Sequence, residues 1–187
     1  VGGELPQQDA TPVQAVSSMG AEQKKGPIVR FDEESMTQEM IFVETTAREQ
    51  RKDLCRWAEY FAEQGKRVLV LTDSTLGAQH LDQLLWSFSQ PSFVPHRIVV
   101  EAEPNASFPE PVLIAVDPRL PLPADVVLCD AFPDLDALGR YPSIMHFVPL
   151  DDEQRKQESR RLWMEAKARG WELKHAAASR RGGNPKK

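Results

Sequence analysis

RVLVLTDSTLGAQ, Arg67 to Gln79, decides the fold. Its first half, Arg67–Thr72, is an unbroken apolar run with valine at alternate positions, which predicts a strand buried on both faces. Such strands belong to parallel sheets covered by helices on both sides. In the second half, Asp73 and Ser74 are residues that cap helices, and Leu76, His80, Leu81, Leu84 and Leu85 follow at helical spacing. That pattern predicts a helix with those five side chains along one face. The turn between the two halves is where an α/β nucleotide-binding domain keeps its phosphate loop. DSTLGAQ holds one glycine and no lysine, and matches neither GxxxxGK(S/T) nor GxGxxG. Without glycines the backbone amides cannot close on a phosphate, and without lysine its charge goes uncompensated.

Reading outward, the same alternation of strand and helix repeats. Upstream, Met40–Thr45 is a short β-branched and aromatic run. Residues 49–64 carry Leu54, Trp57, Ala58 and Phe61 at spacings of three and four, an amphipathic helix that Gly65 ends. Downstream, Arg97–Val100, Val112–Val116 and Val126–Asp130 are strand candidates separated by proline-rich loops, and Leu135–Leu138 is a short helix. Ser143–Val148 is expected to be the last strand, before a final helix over Asp152–Arg169 that stops at Gly170. The fold class is therefore α/β: a doubly wound, Rossmann-like domain, with a mostly parallel sheet and helices on both faces.

This domain is expected over residues 36–176. Residues 1–35 are rich in Gln, Ser, Gly and charge, with Pro6, Pro12 and Pro27 and few large apolar side chains, the composition of a disordered extension. Met36 stands just before the first strand, so a start at Met36 and a genuine extension are both open. Residues 177–187, ending SRRGGNPKK, read as a flexible basic tail. The first residues lack the basic start and apolar stretch of a signal peptide, and no apolar run approaches the roughly 18 residues of a membrane span. A cytoplasmic protein is expected.

The net charge of −5 is unevenly placed. Residues 151–187 carry eleven basic side chains against six acidic, whereas residues 36–150 carry nine against sixteen. An acidic body repels a nucleic-acid backbone, so DNA is expected to be met only indirectly, while the basic C-terminal part attracts anionic partners.

The motifs of catalysis are missing. His80, His96, His146 and His175 show no HxxxH or HExxH spacing, and no GxSxG elbow exists. Cys55 and Cys129 stand far apart in apolar surroundings, as buried free thiols do. Asp73 and Asp130 both end strands, where α/β enzymes place carboxylates; helix capping and turn initiation account for them equally well. An enzyme with a degenerate nucleotide site using Asp73 and Asp130 is the alternative to a protein without chemistry. No metal or cofactor is expected.

Lys156, Arg160, Trp163 and Lys167 fall at i, i+4, i+7 and i+11 of the final helix. At 100° per residue they occupy a stripe about 60° wide. Leu162 and Ala166 lie on the adjoining strip, which is expected to meet the sheet. The stripe has two readings: a solvated face with Trp163 in the core, or a receptor for an acidic peptide ending in an aromatic residue. In the second, the cations meet carboxylates through charge-assisted hydrogen bonds and the indole covers the apolar side chain.

At this point the chain resembles a known family. GKRVLVLTDS (Gly65–Ser74), LDQLLWSFSQPSFVPHRI (Leu81–Ile98) and HFVPLDD (His146–Asp152) are similar to the chi subunit of bacterial DNA polymerase III, over roughly Met36 to Ala176. The resemblance implies a Rossmann-like fold without an active nucleotide site. It also implies an adaptor that joins the clamp loader, through the psi subunit, to the acidic, phenylalanine-ended tail of the single-stranded-DNA-binding protein. The family's tail-binding positions carry over onto Lys156, Arg160 and Trp163. A further basic position falls on Met164, a departure for which Lys167 or Arg161 is placed to compensate. The psi-facing surface carries over onto Phe93, with Trp86 and Val94 nearby. Trp86 is expected in the core between helix and strand, and Phe93 is open to either role.

Overall fold

The computed structural model describes residues 37–88, 93–101 and 107–177. The expected extension over 1–35 and tail over 177–187 lie almost wholly outside these residues. Eleven elements follow in chain order: β1 (Glu39–Thr45), α1 (Gln50–Glu63), β2 (Val68–Leu71), α2 (Thr75–Phe88), β3 (His96–Val99), β4 (Val112–Ala115), β5 (Val126–Cys129), α3 (Leu135–Leu138), β6 (Ser143–Pro149), α4 (Glu153–Ala168) and β7 (Glu172–Ala176).

The strands form one parallel sheet in the order β3-β4-β2-β5-β6-β1-β7. All four residues of β2, β4 and β5 are buried, because helices cover both faces of the sheet there. Alternate side chains divide between two cores. Leu54, Ala58 and Phe61 of α1 and Leu81 of α2 pack with Val70, Leu128 and Phe147 on one face. Leu138 of α3 and Leu162 and Ala166 of α4 pack with Phe42, Leu71 and Ile144 on the other. The chain leaves β2 toward one side with its helix on the first face, and leaves β5 toward the other with its helix on the second. The doubly wound class follows.

Both long helices ended by glycine end in the same way. Gly65 (φ 72°) donates to the Ala62 carbonyl and Lys66 to that of Phe61; Gly170 (φ 77°) donates to Lys167 and Trp171 to Ala166. The paired bonds satisfy carbonyls that a helix otherwise leaves open, and need the left-handed backbone that glycine adopts freely.

Two expectations are corrected. Ser143–Val148 is not the last strand: beyond Gly170, β7 pairs with β1, Glu39 opposite Glu172 and Val43 opposite Ala176. Its sequence, ELKHA, is short and charged, as exposed edge strands are. Lys174 reaches across to Glu39 on β1 and along its own strand to Glu172. The buried face of α2 is also rotated from the one expected. Ala78, Leu81 and Leu85 are buried, Leu84 is half-buried, and His80 is exposed, as is Leu76 at 75%. Gly77 sets that rotation: a Cβ there would lie 2.3 Å from Thr72 Oγ1, so only glycine lets the helix come this near to β2. Ser74 caps the helix by accepting the Gly77 N–H at 3.1 Å, and donates to Asp73 at 3.0 Å.

Candidate functional site

A groove of about 350 Å³ opens beside α4, on the face that the helix shares with β1, β6 and β7. Helix α4 begins at Asp152, whose carboxylate accepts the Arg155 N–H at 3.0 Å. Ser159, Leu162 and Ala166 are its buried residues and seat it on the sheet. One step around the helix, Lys156, Arg160, Trp163 and Met164 face the groove. Trp163 is half-buried, its ring 4.9 Å from that of Phe42 on β1. The indole is therefore neither core nor free surface: one part seals the second core and the rest forms the groove floor.

The far wall comes from strand ends. Val148 and Leu150 extend the apolar floor from β6, while Glu44 of β1 and His175 of β7 meet at 3.0 Å. The groove thus sets cations on one side, an apolar aromatic floor between, and a carboxylate–imidazole pair on the other. Lys167, expected in the same site, does not line it; it is exposed in the last turn of α4. Arg161 is exposed and is likewise not part of the lining. Met164 does line the groove and is 65% exposed, so the departure from a basic residue replaces charge by a flexible apolar side chain. Sequence periodicity finds the α4 side of this groove. It cannot find Phe42, Glu44 or His175, which strand pairing alone brings opposite.

Beneath the groove lies His146, 3% exposed. The Ser159 hydroxyl has one hydrogen, donated to the Arg155 carbonyl at 2.8 Å, so it accepts from His146 Nε2 at 2.8 Å. This assigns the ring proton to Nε2 and leaves Nδ1 buried without a partner. Burial first, and the nearby charge of Arg155 second, push the imidazole down to about 3, so it is neutral near pH 7.

The remaining site residues lie elsewhere. Trp86, expected in the core, is 59% exposed, and Phe93 is 57% exposed. Their rings lie 4.8 Å apart, and the indole meets the His96 ring at 5.3 Å. The expectation for Trp86 fails because β3 is the edge of the sheet, and among the described residues no element lies beyond α2 to bury that side chain against. Val94 is buried, and its carbonyl meets His96 Nδ1 at 2.8 Å, so it anchors the patch rather than forming its surface.

Asp130 lies at the carboxyl end of β5, beside β2, where the winding of the chain reverses. Open α/β sheets bind ligands at such points. Here the carboxylate is engaged by the protein itself. Gln50 Nε2 donates at 3.0 Å, Arg51 Nε at 3.0 Å and Thr72 Oγ1 at 3.4 Å. Arg51 also meets His80 Nδ1 at 2.8 Å, and Arg155 donates to the Gln50 side-chain oxygen at 3.1 Å. Asp73 is exposed. Cys55 and Cys129 are buried and unbridged, with both thiols pushed up to about 12 chiefly by burial, which makes them poor nucleophiles. Among the described residues no group of His, Cys, Asp and Glu side chains could hold a metal, and no helix is long and apolar enough to cross a membrane.

The chain is similar in sequence to known proteins. The chain is 28% identical over 120 residues to DNA polymerase III subunit chi of Haemophilus influenzae, covering 64% of this chain and 81% of that protein. The family model described as DNA polymerase III chi subunit, HolC, matches residues 36–174, which run from just before β1 into β7 and so take in the groove, the aromatic patch and the engaged crevice. The chain therefore belongs to the DNA polymerase III chi subunit family.

Proposed function

We propose that this protein is a non-catalytic accessory subunit of DNA polymerase III that links the clamp loader to the tail of the single-stranded-DNA-binding protein. The observation that carries the reading is the groove, where Lys156 and Arg160 stand over an apolar floor of Phe42 and Trp163. A chain end that is acidic and closes with phenylalanine matches both features. Its carboxylates meet the two cations through charge-assisted hydrogen bonds, and its ring rests on the aromatic floor. The contact is small and its cations are exposed or half-exposed, so it is weak and sensitive to salt. That suits a tether which must release.

The Trp86–Phe93 patch serves a second contact. Two large rings, tilted by 34° against each other and exposed at the sheet edge, suit a protein partner, for which the psi subunit or an equivalent clamp-loader protein is our reading. The patch is built from α2 and the segment before β3, and the groove from α4 and the β1, β6 and β7 strands, so each can be removed without the other.

Titration of an acidic peptide ending in phenylalanine tests the groove. Binding at low salt that weakens by roughly 1–3 kcal/mol in Arg160→Ala is expected, the scale of a hydrogen bond to a charged group. Equal binding by the two proteins, or none by the wild type, rejects the site.

A further inference from the structure

Lys156 and Arg160 already share a carboxylate. Glu153, one turn ahead on α4, holds Oε2 2.8 Å from Lys156 Nζ and Oε1 3.9 Å from Arg160 Nη1. One carboxyl group thus spans both cations, one oxygen to each, so the pair is spaced to receive a single carboxylate. The hydrogen bond from Lys156, then the charges of Lys156 and Arg160, hold the Glu153 carboxyl below the usual range, and it is anionic near neutral pH. The side chain is 62% exposed and does not line the groove, so it can leave the cations for water without disturbing the core.

We propose that Glu153 is an internal stand-in for the ligand's carboxylate, which an arriving acidic chain end must displace, and that it thereby keeps capture weak and readily reversed. This rests on the groove's being a receptor for an acidic chain end. Two effects oppose each other. Glu153 orders the Lys156 side chain, which favours the ligand by lowering the entropy still to be lost. It also leaves a negative charge beside the incoming anion. Ordering by an exposed ion pair is slight, because both side chains stay mobile and solvated. Repulsion of a like charge within a few ångströms acts on every anionic ligand. Repulsion wins.

The experiment titrates an acidic peptide ending in phenylalanine, and the same peptide with its C-terminus amidated, against wild type, Glu153→Gln, Lys156→Ala and the double variant. The free-acid peptide is expected to bind Glu153→Gln about three- to tenfold more tightly than wild type, on the scale of one exposed charge interaction. The amidated peptide should gain less, and the gain should shrink when Lys156 is absent, since Glu153 then has one cation fewer to block. Binding by Glu153→Gln that is no tighter than wild type, or a gain of the same size with Lys156→Ala, overturns the stand-in role while leaving the groove intact. Failure of both wild type and Glu153→Gln to bind the free-acid peptide at low salt rejects the groove reading and this inference together.

Discussion

The crevice between β2 and β5 and the groove beside β7 are made of similar materials and have opposite fates. Each sets arginine beside carboxylate at the carboxyl ends of parallel strands. In the crevice, Asp130 is 8% exposed and its oxygens are taken by Gln50, Arg51 and Thr72, so the charges are spent on holding α1 to the sheet. In the groove, Arg160 is 71% exposed at the side chain, its ion pair with Glu153 is long at 3.9 Å, and the floor is apolar. The usual ligand position of an open α/β sheet is thus occupied by the protein's own side chains, while the position one helix away is open. Burial decides which set of charges is structural.

Breaking the crevice should produce the largest change in stability. Asp130→Ala removes the carboxylate that Gln50, Arg51 and Thr72 share, leaving Gln50 only the residue-130 carbonyl at 3.1 Å, and is expected to cost about 1–3 kcal/mol, moderated because Arg51 is partly exposed and can turn to water. Urea unfolding measures this. Peptide affinity should be unchanged, and a parallel loss of binding would show that the two regions are not independent.

The histidine beneath the groove gives a pH signature. His146 stays neutral in the fold down to about 3, whereas in the unfolded chain a histidine takes up its proton near 6.5. The unfolded state therefore binds more protons between these values. Its contribution to stability is full above about pH 6.5 and is lost as pH falls toward 3. A histidine that titrates only when unfolded gives a slope of up to about 1.4 kcal/mol per pH unit within that window. His146→Leu, which keeps the Ser159–Arg155 bond available, should remove that component from urea midpoints measured between pH 7 and 4. An unchanged slope would show that the ring is charged in the fold.

Smaller effects sharpen the groove side of the comparison. Met164→Arg returns a cation to the groove wall and should tighten the acidic peptide by about 0.5–1 kcal/mol, more at low salt than at high, because the position is exposed. Smallest in stability is Phe93→Ala, within about 0.5 kcal/mol of wild type for so exposed a ring. A clamp-loader partner retained by the wild type in affinity capture should nevertheless be lost, and undiminished retention would remove the patch from the partner surface.

The fold was legible where burial is two-sided. Val68–Leu71, Val112–Ala115 and Val126–Cys129 are continuous apolar runs because helices cover both faces, and no other arrangement asks for such runs. Legibility failed at the edges, where fewer neighbours constrain a side chain. Glu172–Ala176 reads as solvent-facing yet is a strand, and Trp86 reads as core yet stands in solvent beside the outermost strand. The groove was half legible for a related reason. Lys156, Arg160 and Trp163 share one helix, so their spacing places them together. Phe42, Glu44 and His175 reach them through strand order, which carries no local periodicity. Leu76 and His80 share a helical spacing with Leu81 and Leu85 yet stand in solvent, because spacing alone does not register the close approach of Gly77 to Thr72.

The pairing of β7 with β1 has a consequence for when the groove comes into being. Phe42 and Glu44 are made early in synthesis, whereas His175 emerges some 130 residues later and docks against them only when β7 joins the sheet. A chain still held at the ribosome, or one clipped after α4, retains β2, β4 and β5 at its centre but lacks the His175 side of the far wall. The groove is in this way completed only when the domain is nearly finished.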